Sequence, residues 1–509
     1  MARSIKKNIF ANYLGQGYST VVGFAVIPFY IAKLGIEAYG LIGLYTLVRS
    51  WIALLDLGMK PAVARSFASA RSSDRSSAEQ ARDTLFTLIS IASLFALGFA
   101  LLAQIFSGWF SRSWLSLDDL TDSAAVTSIK LIGVLVGLSF VEAIQRNALV
   151  GLQRHGVLNA ILASAATLRA IGGVAVLHLV APDIRALFAW FIVCAILNLI
   201  VQQVAVSRMA PTIDRKARFS VEQIARLKGF LTGVSGIAVA SFLASKADRI
   251  VVSASCSLEE FGGYSLAAVL SGALFMVLSP VIQAYFPRVA SLHASGERKA
   301  MIRLFHLNAQ LVTCTVCVIA MNLFAFAPVV LEVVVDEEQQ SNGLARVFQA
   351  MALSAGVNAM LWTPRQTQLA EGETRRPFIS SSAGALLTWP LLLLAVPRFG
   401  TIGAAWSVLI VNIISVLFLS ALEFNGATER ERGRWLLRDL ALPIAAAIPV
   451  IFLAHRSMPA ELTRSSVLGL AYVAGTVGLS CGASVLATGQ LREVAARMVR
   501  SRIARGGRA

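Results

Sequence analysis

The sequence predicts an all-α polytopic membrane protein of about fourteen transmembrane helices, and three observations carry that expectation. Of 509 residues, 56% are hydrophobic and only 14% charged, and the mean hydropathy is +0.70; soluble domains carry about 25% charged residues. Apolar runs near the ~20 residues needed to cross a bilayer recur along the whole chain, and the polar loops between them are too short to fold as extramembrane domains. These loops also alternate in charge, as loops on opposite faces of a membrane do.

The first run, 8–34, follows Arg3, Lys6 and Lys7 as a signal sequence would, but it is too long for a signal-peptide core and stays as a helix. Runs at 40–59, 84–110, 125–150, 157–180 and 186–207 complete a first set of six. A basic linker with Arg215, Lys216, Arg218 and Arg226 leads into a second set at 229–255, 264–287, 302–327, 346–364, 377–396 and 401–422. Runs at 440–455 and 465–488 form a last pair. Pro28, Pro280 and Pro364 mark places where helices bend. The expected organisation is a lobe at 1–210, a linker at 211–228, a second lobe at 229–424, an extra helix pair at 425–490 and a basic tail at 491–509. The tail's Arg492, Arg497, Arg500, Arg502, Arg505 and Arg508 suit an anionic headgroup layer or a solvated, disordered end.

One set of loops holds Arg65, Arg71, Arg75, Arg82, Arg154, the linker cations, Arg288, Arg298, Lys299, Arg375, Arg376, Arg430, Arg432, Arg434 and Arg438. The other is poor in cations and holds Asp118, Asp119, Asp122, Glu259, Glu260, Glu332, Asp336, Glu337 and Glu338. The positive-inside rule makes the first set cytoplasmic and puts both termini there, which needs an even number of crossings. The net charge of +17 is thus spread over many loops rather than gathered on one face, and argues against a nucleic-acid partner. Cys194, Cys256, Cys314, Cys317 and Cys481 lie in or at the ends of apolar runs and read as packing residues, with no metal site and no cofactor expected.

The two sets of six repeat one another. Glu37-Ala38-Tyr39-Gly40 and, a helix later, Ala64-Arg65-Ser66 correspond to Glu260-Phe261-Gly262-Gly263-Tyr264 and Pro287-Arg288-Val289. Likewise Ala181-Pro182 precedes Trp190 as Val396-Pro397 precedes Trp406. Transporters built from two such copies place substrate at their interface and rock one lobe against the other.

Charges inside the apolar runs are the candidate functional residues, because an ionised side chain in hydrocarbon costs about 2.5–3.5 kcal/mol on insertion scales. The seventh run carries Lys246, Asp248 and Arg249; Lys246 and Arg249 share a face that Asp248 largely leaves. Arg49 and Arg169 lie about 14 and 18 Å along their own helices, near mid-membrane. Arg49 has Asp56 seven residues on as an ion-pair partner, and Glu142 has Arg146 in the same role at i,i+4, whereas Arg169 has no acid in its helix. Lys246 and Arg249 can also snorkel to the surface. Asn8, Asn12, Gln16 and Ser19 in the first run, and Asn358 with Ser354 in the tenth, form polar stripes that either meet sugar hydroxyls or hold helices together.

Several of these residues resemble the oligosaccharide flippases, the polysaccharide-transporter branch of the superfamily that also holds the multidrug and toxic compound extrusion (MATE) transporters and the lipid II flippases. The likeness rests on Asn8, Asn12, Leu34-Gly35, Tyr39-Gly40, Asp56-Leu57-Gly58, Gly151-Leu152-Gln153-Arg154, Asp248-Arg249, Gly263-Tyr264, Phe286-Pro287-Arg288 and Gly400-Thr401-Ile402-Gly403-Ala404-Ala405-Trp406. It implies a two-lobed, V-shaped protein of the bacterial inner membrane. Such a protein turns an undecaprenyl-diphosphate-linked oligosaccharide from the cytoplasmic to the periplasmic leaflet for O-antigen, capsule or exopolysaccharide synthesis, beside polysaccharide polymerase and chain-length regulator proteins. Arg49, Arg169, Lys246 and Arg249 are then cavity cations for the diphosphate; Asn8, Asn12, Gln16 and Asn358 face sugar; Asp56, Asp248 and Glu142 are coupling or ion-pair acids. Many members of the branch stop at twelve helices, so the last pair leaves a lipid II flippase open as an alternative. A MATE-type antiporter is the second alternative, opposed by the absence of an acid before Glu37 and by the interior cations, which repel cationic drugs. A membrane glycosyltransferase or polymerase is opposed by the short outer loops. No Gly-x4-Gly-Lys-Ser/Thr stretch is present, so no ATP hydrolysis through a P-loop is expected.

Overall fold

The computed structural model describes residues 17–50, 59–70, 75–211, 215–222, 245–335, 343–425, 428–459, 462 and 466–493. Asn8, Asn12, Gln16, Asp56 and the tail beyond residue 493 lie outside these. Among the described residues the chain is helical, with a single isolated bridge between Ser116 and Ser257. Eleven of its helices are long and apolar enough to span a membrane.

Eleven and fourteen reconcile through three places. The start of the run at 229–255 lies outside the described residues, and its end is helical over 245–255. Ile27–Ser50 joins the end of the first run to the second across Gly35, where φ is +80°. Arg375–Leu417 joins the eleventh and twelfth across Gly400, where φ is +55°. A positive φ costs L-residues roughly 1–2 kcal/mol, so glycine lets two helices follow each other without a loop. Prolines act as expected at two of three places. The helix is interrupted at Val26 ahead of Pro28 and at Leu361 ahead of Pro364, as a proline's clash with the carbonyl four residues back requires. The break at Ala273 lies seven residues before Pro280, too far for that proline to cause it.

The chain packs as two compact units, one of residues 1–246 with 256–262 and one of 247–255 with 263–509. In the first, Asp122–Gly151 is the central helix. Gly133 and Gly137 present a small-residue seam to Ala103 and Ala96 of Arg75–Ser113, the close approach by which helices associate where lipid gives no hydrophobic drive. Gly40 and Gly262, one from each repeated motif, also make close approaches within this unit: a Cβ on Gly40 would run into the Leu258 carbonyl, and one on Gly262 into the Ile36 carbonyl.

Loop charges segregate to the two ends of this unit. At the start of Arg75–Ser113, Arg215 bonds Asp83 (2.6 Å) and Glu79 (3.0 Å), and these carboxylates hold its guanidinium above even its ordinary pKa. Beyond the other end of that helix, the buried Glu37 carboxylate accepts the backbone N–H groups of Asp118, Asp119 and Leu120 at 2.7–2.9 Å.

In the second unit, Phe305, Met360, Phe424 and Trp435 centre one core cluster, and Leu274, Leu278, Val312 and Val316 another. The last helix pair packs on this unit through Phe326, Val329, Ala447, Ile451 and Val473. Outward-facing Leu94, Ile105, Leu386, Leu453 and Leu479 are more than half exposed. Apolar residues outside and polar ones within are what a lipid solvent demands.

Candidate functional site

In the first unit the two interior arginines share one aromatic ladder. Tyr45, Phe188, Phe191 and Tyr30 follow one another with ring centroids 6.2–6.4 Å apart. Phe188 and Phe191 come from Ile184–Met209, the tyrosines from Ile27–Ser50. The Arg49 guanidinium lies 6.0 Å from the Tyr45 ring centre, and that of Arg169 5.4 Å from the Phe191 ring centre. The ring faces carry partial negative charge, so the ladder stabilises both cations without neutralising them. Arg169 forms no ion pair with any described residue, and its buried Nε has no hydrogen-bond partner. Tyr30 donates its hydroxyl to the Arg169 carbonyl at 3.4 Å, and Tyr18 meets Thr167 at 2.9 Å. The hydroxyl of Tyr45 is buried and unpartnered. Both groups thus keep unused hydrogen-bonding capacity, and a guanidinium is suited to an anion with several acceptor oxygens.

The helix at 245–255 places its charges differently from one another. Asp248 accepts the hydroxyl proton of Tyr264 at 2.8 Å, which joins the Asp248-Arg249 and Gly263-Tyr264 motifs. Arg249 is half-buried and forms no ion pair with a described residue. Lys246 is also half-buried and has an interaction of its own.

The remaining candidates are engaged with neighbours. Glu142, buried, pairs with Arg146 at 2.6 Å. Asn358 donates to Asn412 at 3.1 Å, and Asn412 donates to the Ser354 hydroxyl at 2.8 Å, so this stripe ties Leu344–Met360 to Arg375–Leu417. Asn8, Asn12, Gln16 and Asp56 lie outside the described residues, and with Asp56 the expected Arg49 pair.

Two buried polar groups escape a reading by runs and stripes. Glu423, fully buried, is held by Arg365 at 2.8 Å and by the Ser380 hydroxyl at 2.7 Å. His306 and Asp439, each 1% exposed, are bonded to one another. The signal was present in the chain, a histidine five residues into the ninth run and an acid one residue before the thirteenth, but only folding shows that they meet.

A comparison with curated protein sequences finds no match. Among solved structures the chain is similar to the lipid II flippase MurJ in its inward closed conformation, at 12% identity over 92% of this chain and 97% of that one, with a TM-score of 0.66. It is also similar to an inward-facing multidrug resistance MATE family transporter of the MOP superfamily, at 10% identity over 78% and 92%, TM-score 0.60. A third likeness is to a MOP superfamily transporter from Pyrococcus furiosus Vc1, whose binding pocket is described as reversed in polarity, at 13% identity over 83% and 96%, TM-score 0.51. At these identities the likeness is one of fold. In sequence, the model of the family described as polysaccharide biosynthesis protein matches residues 5–293, more than half of the chain, and the protein belongs to that family.

Proposed function

We propose that this protein is a flippase that moves a polyprenyl-diphosphate-linked oligosaccharide from the cytoplasmic to the periplasmic leaflet of the bacterial inner membrane by alternating access. The observation that carries the reading is Arg169 with Arg49 on the aromatic ladder: cations in membrane helices that stack on rings and form no ion pair with a described residue. A diphosphate is the chemical class that repays such an arrangement, since guanidinium groups grip its oxygens bidentately while the lipid tail stays in hydrocarbon. Membership of a polysaccharide-biosynthesis family and the flippase-like fold support it. The same reading takes 1–210 and 229–424 as six-helix lobes, 425–490 as an added pair, both termini as cytoplasmic, and polysaccharide polymerase and chain-length regulator proteins as neighbours. Lys246 and Arg249 are its second cationic station.

The test is leaflet exchange of a labelled lipid-diphosphate oligosaccharide in vesicles reconstituted with the purified protein, beside efflux of cationic dyes. Exchange by the unmodified protein, lost on Arg169→Ala while the variant still inserts and purifies, is the expected result. Dye efflux without exchange would replace the proposal by a drug antiporter.

A further inference from the structure

His306 lies on Arg298–Val312 with both ring nitrogens facing carboxylates. Its Nδ1 is bonded to Asp439 Oδ2, its Nε2 lies 2.9 Å from Glu431 Oε2, and the other oxygen of Asp439 accepts the Gln310 amide at 2.8 Å. An imidazole donates from both nitrogens only when it holds two protons. With a carboxyl group at each nitrogen, the ring donates to both only as an imidazolium.

Two further features set this cluster apart from an ion pair that only holds helices together. The backbone is π-helical beside it on both contributing elements, at Thr313–Cys317 and at Trp435–Ala441, the second of which contains Asp439. Such turns gather at functional sites because they widen the helix and free polar groups. Gln310 Oε1 and Trp435 Nε1 are correspondingly buried without partners. The cluster also borders a cavity of about 280 Å³ lined in addition by Arg434, Arg438 and Thr488, and the two arginines are exposed. A buried titratable ring therefore has a polar route outward.

We propose that His306, Asp439 and Glu431 form a proton-binding site that clasps the start of the last helix pair to the second unit and opens when the ring gives up one proton. The proton that leaves is the one on Nε2, because its partner Glu431 has a side chain 22% exposed whereas Asp439 is 1% exposed. It passes to solvent past the partly exposed Glu431 carboxylate, and the nitrogen keeps the electron pair. That lone pair then faces a carboxylate, acceptor against acceptor, while Nδ1–H stays bonded to Asp439. Glu431 is left to Arg434, whose Nη1 is 3.9 Å away. Its carbonyl accepts the Trp435 N–H at 2.8 Å, so a displaced Glu431 disturbs the first turn of the helix that follows. Among the described residues, the charged groups facing the cluster are Asp439 and Glu431, which support the charge on the ring, and Arg434 and Arg438, which oppose it; Thr488 and Gln490, from the chain end beyond Ser466–Ala487, are uncharged. The site goes beyond the flippase reading, and its test requires no transport.

The full-length protein, labelled with 15N-histidine in lipid nanodiscs, is followed from about pH 5 to about pH 9, the range in which histidine changes charge. Imidazole nitrogen shifts report ring protonation, and hydrogen exchange by mass spectrometry, normalised for the intrinsic rate, reports on 428–441. Replacing His155, His178, His293 and His455 one at a time assigns the fifth ring by elimination. The expected result is a two-proton His306 ring that titrates to the neutral form with Nδ1 protonated, with exchange at 428–441 rising about tenfold at the same midpoint, the scale of one charge-assisted hydrogen bond. In Glu431→Gln the ring should still titrate while exchange no longer follows it. A ring that keeps one protonation state over the whole range, or one that titrates with no change in exchange in the unmodified protein, overturns the proposal.

Discussion

Arg169 shows how a charged side chain is tolerated in a membrane with no ion pair among the described residues. A guanidinium over an aromatic face gains about 0.5–2 kcal/mol, a substantial part of what its burial costs, and keeps its charge available. Phe191→Ala should therefore weaken leaflet exchange nearly as much as Arg169→Ala, with Arg169→Lys intermediate because an ammonium keeps the charge but not the planar fork; initial exchange rates rank the three. The Arg365–Glu423 pair is the contrasting case. Glu423 is fully buried and committed to Arg365 and Ser380, so Arg365→Met alone should destabilise by about 3–5 kcal/mol by stranding the carboxylate. The double change Arg365→Met with Glu423→Leu should recover most of that loss, and thermal unfolding of the purified variants measures both. If the single change is neutral, the carboxyl is already protonated there.

Element boundaries rest on a few backbone devices. Gly400, at φ +55°, turns Arg375–Leu417 between two spans without a loop. Gly400→Ala should cost about 1–3 kcal/mol, read as a lower midpoint of thermal unfolding, because φ +55° with ψ −141° is a conformation that L side chains rarely adopt. Asp183 acts at the start of Ile184–Met209, the helix that carries the aromatic ladder. Its carboxylate accepts the Arg185 backbone N–H at 2.8 Å, and the hydrogen bond from the Arg185 side chain holds its pKa below the ordinary aspartate value. A depressed folded-state pKa stabilises above the unfolded value and is lost as pH falls through the folded one. Asp183→Ala should thus cost about 0.5–2 kcal/mol near neutrality and progressively less in acid, in unfolding experiments run at both.

At the scale of the whole molecule, alternate loops must lie on opposite faces. In the first unit the cationic segments at 75–83 and 215–218 meet at one end, and the acidic segments at Glu37 and 118–120 meet at the other. With the cationic face inside, a cysteine at the exposed Ser123 should react with a membrane-impermeant maleimide added to intact cells, and one at the exposed Ser295 only after the membrane is opened. The reverse pattern would invert the topology and with it the proposed direction of transport. Residues 428–441, which join the second unit to the last helix pair, carry the His306 clasp, so that pair is bound both by apolar packing and by a titratable contact.

The sequence by itself determined the class of the protein, most of its spans and, in the first unit, the separation of cationic from acidic loops. It could do so because the bilayer imposes a local rule: about 20 apolar residues per crossing and cations gathered at one face, both readable without knowing any contact. It also located the cations Arg49, Arg169, Lys246 and Arg249, since a charge in an apolar run is conspicuous wherever it folds. It also gave the local Glu142–Arg146 pair, and what it left open was every partner remote in the chain. That Arg169 stacks on Phe191, that Asp248 takes its hydrogen bond from Tyr264, that Asn358 is committed to Asn412, and that His306 meets Asp439 from 133 residues away are decided by how helices pack. A hydrogen bond or an ion pair depends on angstrom-scale distance between side chains remote in the chain, and no periodicity within a helix encodes that distance.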